Sequence, residues 1–325
     1  MTDEHLIAGV ELGGTKAIAV LARGRTILDS IKVPTTSPTE TLGALSHRIA
    51  AWNGSEAISA LGVASFGPIG VDSSRPDYGR MLATPKVGWS GVDVLAGLSA
   101  HLDCPSAIDT DVNAAALAEH RWGAGQGLNS FCYLTIGTGV GGAVLIDGSP
   151  VHGALHPEIG HLRLRRAEAD PFGGVCPFHH DCIEGLVSGP ALEARFGGKP
   201  TQVNDDDPRW SPVVHDFVEL VCSIVLTTSA QRILIGGGVG MGRPFLLQHV
   251  RDGVVERLRP YLAHMTPAYV ETLIAQPDLG DDAGPLGAIV LGLDALTAGR
   301  SHDHQTDLST PSTPSAKYWK SQHGA

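Results

Sequence analysis

Leu6-Ile7-Ala8-Gly9-Val10-Glu11-Leu12-Gly13-Gly14-Thr15-Lys16-Ala17-Ile18-Ala19-Val20 decides the fold. Residues 6–11 read as a strand, Gly13-Gly14 as a tight turn, and 16–22 as a strand returning antiparallel to the first. A hairpin with a bare glycine tip can offer backbone N–H groups to a polyphosphate with no side chain in the way. Working outward, 26–33 fits a third strand, 39–52 an amphipathic helix, and 58–65 a buried strand ending at Phe66-Gly67-Pro68. A helix over 92–102, a strand over 106–110 and a helix over 112–120, following Asp111, continue the alternation.

The second part repeats this plan: a strand over 131–136, a glycine turn over 137–142 and a returning strand over 143–146. Further on come a long helix over 212–230, a strand over 232–235, a glycine turn over 236–242, a strand over 270–275 and an apolar helix over 287–296. The expected fold is α/β, in two similar halves with a ligand cleft between them. Two familiar phosphate loops are excluded. Gly137, Gly139 and Gly142 have dinucleotide-binding spacing, but a strand follows them where that motif needs a helix. No glycine-rich loop is followed by Lys and then Ser or Thr, so there is no P-loop.

The 325 residues, 42% hydrophobic, suffice for two domains. A net charge of −11, from 34 acidic and 23 basic residues, argues against a nucleic-acid partner. The first five residues carry no basic region and no apolar run approaches membrane-spanning length, so no membrane is expected and the cytoplasm is the simplest address. Residues 299–325, rich in Ser, Thr, His and Pro, read as a disordered tail.

Five cysteines disfavour a disulfide framework, and Cys104, Cys132 and Cys222 sit among apolar neighbours as core residues. Cys176, His179 and Cys182 are evenly three apart, with His161 upstream. Two thiolates and two imidazoles suit a tetrahedral ion, zinc before harder cations, with His180 as an alternative to His179. Asp111, taken bare, reads as a helix N-cap, a role compatible with holding a catalytic carboxylate in place.

Glu11-Leu12-Gly13-Gly14-Thr15-Lys16 resembles the first phosphate motif of the actin, hexokinase and heat-shock chaperone ATPase superfamily, and residues 135–142 its second; the cluster from Gly236 resembles its adenosine motif. Glu11 stands where most of that superfamily has Asp. Residues 108–115, with Thr110 where many relatives have Asn, and Pro157-Glu158-Ile159-Gly160-His161 with Cys182-Ile183-Glu184 resemble the ROK group, in particular its zinc-containing fructokinase branch. Residues 65–70, 84–89 and 280–288 resemble further segments of that branch.

The resemblance implies two actin-like (ribonuclease H-like) domains: 1–112, with a closing helix 285–298 packing back on it, and 113–284. It implies phosphorylation of a free hexose by ATP, fructose to fructose 6-phosphate, with mannose, glucose or an N-acetylhexosamine as alternative acceptors. Asp111 would be the general base and, with Glu158, His161, Glu184 and Lys86, would bind the sugar. Gly13, Gly14, Thr15, Lys16, Thr138, Gly139, Gly237 and Gly238 would bind ATP, and Glu11 magnesium, directly or through water. His161, Cys176, His179 and Cys182 would hold a structural zinc, and the assembly would be a homodimer. A sugar-sensing repressor of the same group needs a DNA-binding region before the first phosphate motif, where only about eight residues stand, too few for a helix-turn-helix.

Overall fold

A computed structural model describes residues 4–306. The first half runs β1 (Leu6–Leu12), β2 (Lys16–Arg23), β3 (Thr26–Pro34), α1 (Pro38–Ser55), β4 (Ala60–Ser65), α2 (Val94–Ser99), β5 (Ser106–Thr110) and α3 (Asp111–Trp122). The second runs β6 (Ser130–Ile136), β7 (Val140–Ile146), β8 (Ser149–Pro150), α4 (Ile183–Val187), α5 (Gly189–Phe196), α6 (Trp210–Thr228), β9 (Arg232–Gly236), α7 (Gly237–Gly242), α8 (Pro244–Leu258), α9 (Pro267–Leu273), β10 (Ile274–Ala275) and α10 (Ala283–Thr306).

The sheets are ordered β3-β2-β1-β4-β5 and β10-β9-β6-β7-β8. In each, an antiparallel three-strand meander is extended by two parallel strands on the side of its first strand. The repeat of plan read from the glycine hairpins is thus a repeat of topology. Helix α10 lies on β1, β4 and α3. Gly62 permits that approach, since a Cβ there would overlap the Ala288 carbonyl oxygen.

Several boundaries differ from the sequence reading. The second glycine turn is only 137–139, because Gly141 and Gly142 belong to β7. There a Cβ would stand 2.6 Å from Val112 Cγ1 and 2.8 Å from Ile159 Cδ1, so close packing, not turning, requires glycine. Residues 237–242 form a short helix. The strand expected over 270–275 is mostly α9, because Thr266 caps it through the Tyr269 N–H and Pro267 opens it, leaving two residues for β10. Helix α10 extends through 299–306, and 307–325 lie outside the described residues.

One helix among the described residues, α6, is long and apolar enough to cross a membrane, contrary to the expectation of none. It carries Asp216, 2% exposed and paired with Arg195 at 3.2 Å, and packs Phe217, Leu220 and Val221 into the second core. That is the pattern of a core helix.

Candidate active site

Both glycine hairpins open toward a cleft of about 370 Å³, lined by residues of both halves, among them Glu11, Lys16, Asp111, Gly237 and Gly238. Glu11 is near the end of β1 and Lys16 begins β2, so the first hairpin delivers both charges. Its tip is fixed by Gly13 N–H on the Lys16 carbonyl at 3.0 Å and by the Thr35 hydroxyl on the Gly13 carbonyl at 2.8 Å. Gly13, Gly14 and Thr15 sit at this tip and Thr138 and Gly139 at the other, outside the cleft lining itself. Gly237 has φ 82°, and a Cβ there would meet the Ile136 backbone at 2.5 Å, so only glycine lets this turn rest on the end of β6.

Thr110, not Asp111, caps α3, its hydroxyl accepting from Asn113 N–H at 3.1 Å. Asp111 is the first helical residue, and its carboxylate accepts from the following N–H, of Val112, at 2.9 Å. Its carboxyl faces the cleft, where burial, then the charge of Glu11 and more weakly Glu158, push it up to about 7. Burial also raises Glu11, with Asp281 adding to it, and Glu11 Oε2 is buried without a hydrogen-bond partner among the described residues. A carboxylate oxygen so placed fits a cation brought in with phosphates.

Glu158 follows β8, and desolvation followed by the Glu184 charge lifts its carboxyl to about 7. Glu184, in the first turn of α4, accepts from Val140 N–H at 3.1 Å, tying it to the second hairpin. Lys86 Nζ donates to the Gly14 carbonyl at 2.6 Å, so its contact here is with the first hairpin.

His161, Cys176, His179 and Cys182 bring their donor atoms within 4.8 Å of one another. Cys176 Sγ lies 3.9 Å from His161 Nδ1 and 3.8 Å from His179 Nδ1, and Cys182 Sγ 3.6 Å from His161 Nδ1. Tetrahedral zinc with one sulfur and one nitrogen ligand separates them by roughly 3.6 Å, so the four residues fit that ion. His180 stays out: φ of 54° turns it into a backbone bridge with Cys176. The loop is braced by Asp181, which accepts from Arg163 at 2.8 Å and approaches Arg166; Arg166 and Arg195 share Asp170, and Arg195 reaches Asp216 in α6.

Sequence reasoning missed several residues around this site. Asp109, 3% exposed, accepts from the Thr110 N–H at 2.7 Å, from Asn113 Nδ2 at 2.7 Å and pairs with His152 at 3.0 Å. His156 accepts from the Ile69 N–H at 3.3 Å and turns Nδ1 toward Glu158 Oε1 at 3.5 Å. Glu119, fully buried, accepts from the N–H groups of Ala124, Asp278 and Leu279, so α3 holds the segment leading to Asp281 at the cleft. The spacing of His152, His156 and His161 before the Cys/His loop was the one signal available.

Two α/β units, each with a glycine-tipped hairpin turned toward a shared acidic cleft, define a two-domain phosphate-transfer fold of the actin-like class. The ROK family model matches residues 7–295, and the chain belongs to the ROK family. The fructokinase of Zymomonas mobilis is 38% identical over 307 residues, covering 90% of this chain and 98% of the relative. That of Pediococcus pentosaceus is 35% identical over 293 residues, covering 90% and 99%. The crystal structure of the ROK hexokinase from Thermus thermophilus superposes with a TM-score of 0.70 at 26% identity, covering 90% of this chain and 100% of that one.

Proposed function

We propose that the protein is an ATP-dependent hexose kinase with D-fructose as its acceptor and fructose 6-phosphate as product. The observation that carries this reading is Asp111: a carboxyl at about 7, on a helix N-terminus, between the Glu11 side of the cleft and Glu158. A base poised near the working pH is what removal of a hydroxyl proton asks for. Fructokinase relatives spanning nine-tenths of the chain support the choice of sugar. The reading divides the chain near residue 112, with α10 rejoining the first part, on which it packs.

In the mechanism, Glu158, Glu184 and His161 Nε2 receive sugar hydroxyls; Nδ1 of His161 faces the two thiols. Asp111 accepts the proton of the attacking hydroxyl as the phosphoryl group leaves ADP. Lys16 and the hairpin N–H groups, with Thr138 and Gly139 at the second tip and Gly237 and Gly238 beside the nucleoside, steady the phosphates. Magnesium supplies neutralisation of the phosphate charge, and Glu11 is the carboxylate suited to hold it. Zinc supplies a fixed shape for the loop carrying His179, and through His161 orients a sugar contact. Lys86, which donates to the Gly14 carbonyl, steadies the first hairpin. All five cysteines are free, which agrees with a cytoplasmic address. A homodimer is the assembly the family resemblance implies, and sedimentation tests it.

The deciding experiment is ADP release with ATP and magnesium on fructose, mannose, glucose and N-acetylglucosamine, for wild type and Asp111→Ala. Turnover on fructose, lost in the variant, is expected. Preference for another sugar moves the acceptor, and silence on all of them despite sugar binding replaces the kinase with a sensor.

A further inference from the structure

We propose that the Tyr133 hydroxyl is a nucleotide ligand, donating a hydrogen bond to an anionic phosphate oxygen at the end of the chain nearest the nucleoside. The proposal deepens the kinase reading and rests on it. Tyr133 is on β6, two residues before Thr135, and both side chains line the cleft. Its ring packs in the cluster that includes Phe131 and Val112. The residue is 5% exposed, and among the described residues its hydroxyl has no hydrogen-bond partner.

A core tyrosine ordinarily places its hydroxyl on a protein acceptor; the Tyr133 oxygen has none among the described residues, and it is not sealed off but open to the cleft that the residue lines. Here the surroundings invite an incoming one. Thr135 pairs with Gly236 across β6 and β9, and a Cβ at Gly236 would stand 2.8 Å from the Tyr133 oxygen, so the glycine leaves that oxygen room beneath the turn to Gly237. Burial first, then the charges of Glu119, Asp111, Glu11 and Asp281, push the phenol well above its usual value. It is therefore a donor at any working pH. None of those carboxylates bonds to it, and the acceptor that reaches such a cleft is an oxygen arriving with its own cation, as phosphates do. The hydroxyl lies beside Gly236, under the turn next to which the kinase reading puts the nucleoside, and so toward that end of the phosphate chain.

The test compares Tyr133→Phe with wild type by calorimetric titration of MgADP and of adenosine, with KM for ATP and fructose and the melting temperature alongside. A lost hydrogen bond to a charged oxygen is expected to weaken MgADP and raise KM for ATP about tenfold. Adenosine affinity, KM for fructose and the melting temperature should hold. Equal MgADP affinity in the two proteins overturns the proposal, whether or not the melting temperature changes; an equal loss on adenosine overturns the assignment to phosphate. If wild type itself neither binds MgADP nor turns over any sugar, the kinase reading falls first and takes the proposal with it.

Discussion

Glu184 Oε2 accepts the backbone N–H of Val140 at 3.1 Å, fastening the first turn of α4 to the root of the second glycine hairpin. The proposed sugar contact and the phosphate loop are therefore one mechanical unit. Glu184→Ala should raise KM for fructose about tenfold or more and also raise KM for ATP, since the Val140 N–H loses its partner. Glu184→Gln, which keeps an acceptor, should restore KM for ATP more fully than KM for fructose. Steady-state kinetics on both substrates separates the effects; an unchanged KM for fructose in both variants would sink the sugar role.

Asp111→Asn should lower kcat by about 10²- to 10⁴-fold with ATP affinity nearly intact. Because the wild-type carboxyl lies at about 7 in the free protein, kcat/KM should fall below that pH by about tenfold per unit. A rate flat from pH 8 to pH 5.5 would contradict the assignment of the base.

The same carboxyl costs stability. From its ordinary 3.8 it is raised to about 7, so between those values the folded protein holds a proton that the unfolded chain has released. Stability accordingly falls as pH rises through that window, and the whole cost is in place above 7. The ligand-free Asp111→Asn variant should melt higher than wild type at pH 8, with the gap closing near pH 4. Differential scanning calorimetry across that range checks the sign.

Removing metal from the loop of Cys176, His179, Cys182 and His161 should lower the melting temperature and raise KM for fructose, leaving nucleotide affinity largely unchanged. Elemental analysis should give one zinc per chain, and Cys176→Ser should mimic the chelator. Full sugar affinity in a verified zinc-free sample would detach the loop from the pocket.

Gly62→Ala should destabilise by about 1–3 kcal/mol, because the new methyl overlaps the Ala288 carbonyl and α10 must move away from β4. Urea unfolding measures it; a neutral result would mean that α10 slides at little cost.

Much of this was legible in local chemistry. The first hairpin could be read because Gly13-Gly14 breaks an apolar run between Leu6 and Val20, and the metal loop because Cys176, His179 and Cys182 repeat at a spacing few other roles need. What escaped depends on contacts distant in sequence. Gly141 and Gly142 looked like turn residues, yet they are small because Val112 and Ile159 press on them. Asp111 read as a cap because nothing local says that Thr110 takes that role. Glu119 carries no local signal, and only the return of Asp278 and Leu279, some 160 positions later, makes it a buried clamp.

Helix α10 is the last described element to leave the ribosome, yet Ile289 and Leu293 cover Ile7, Val20 and Ala60, which are made well over 200 residues before them. At translation speeds of about 5–20 residues per second, that apolar face of the first sheet waits on the order of 15–60 s for its lid. Throughout that interval the nascent chain thus carries an unfinished apolar surface of the kind that invites aggregation.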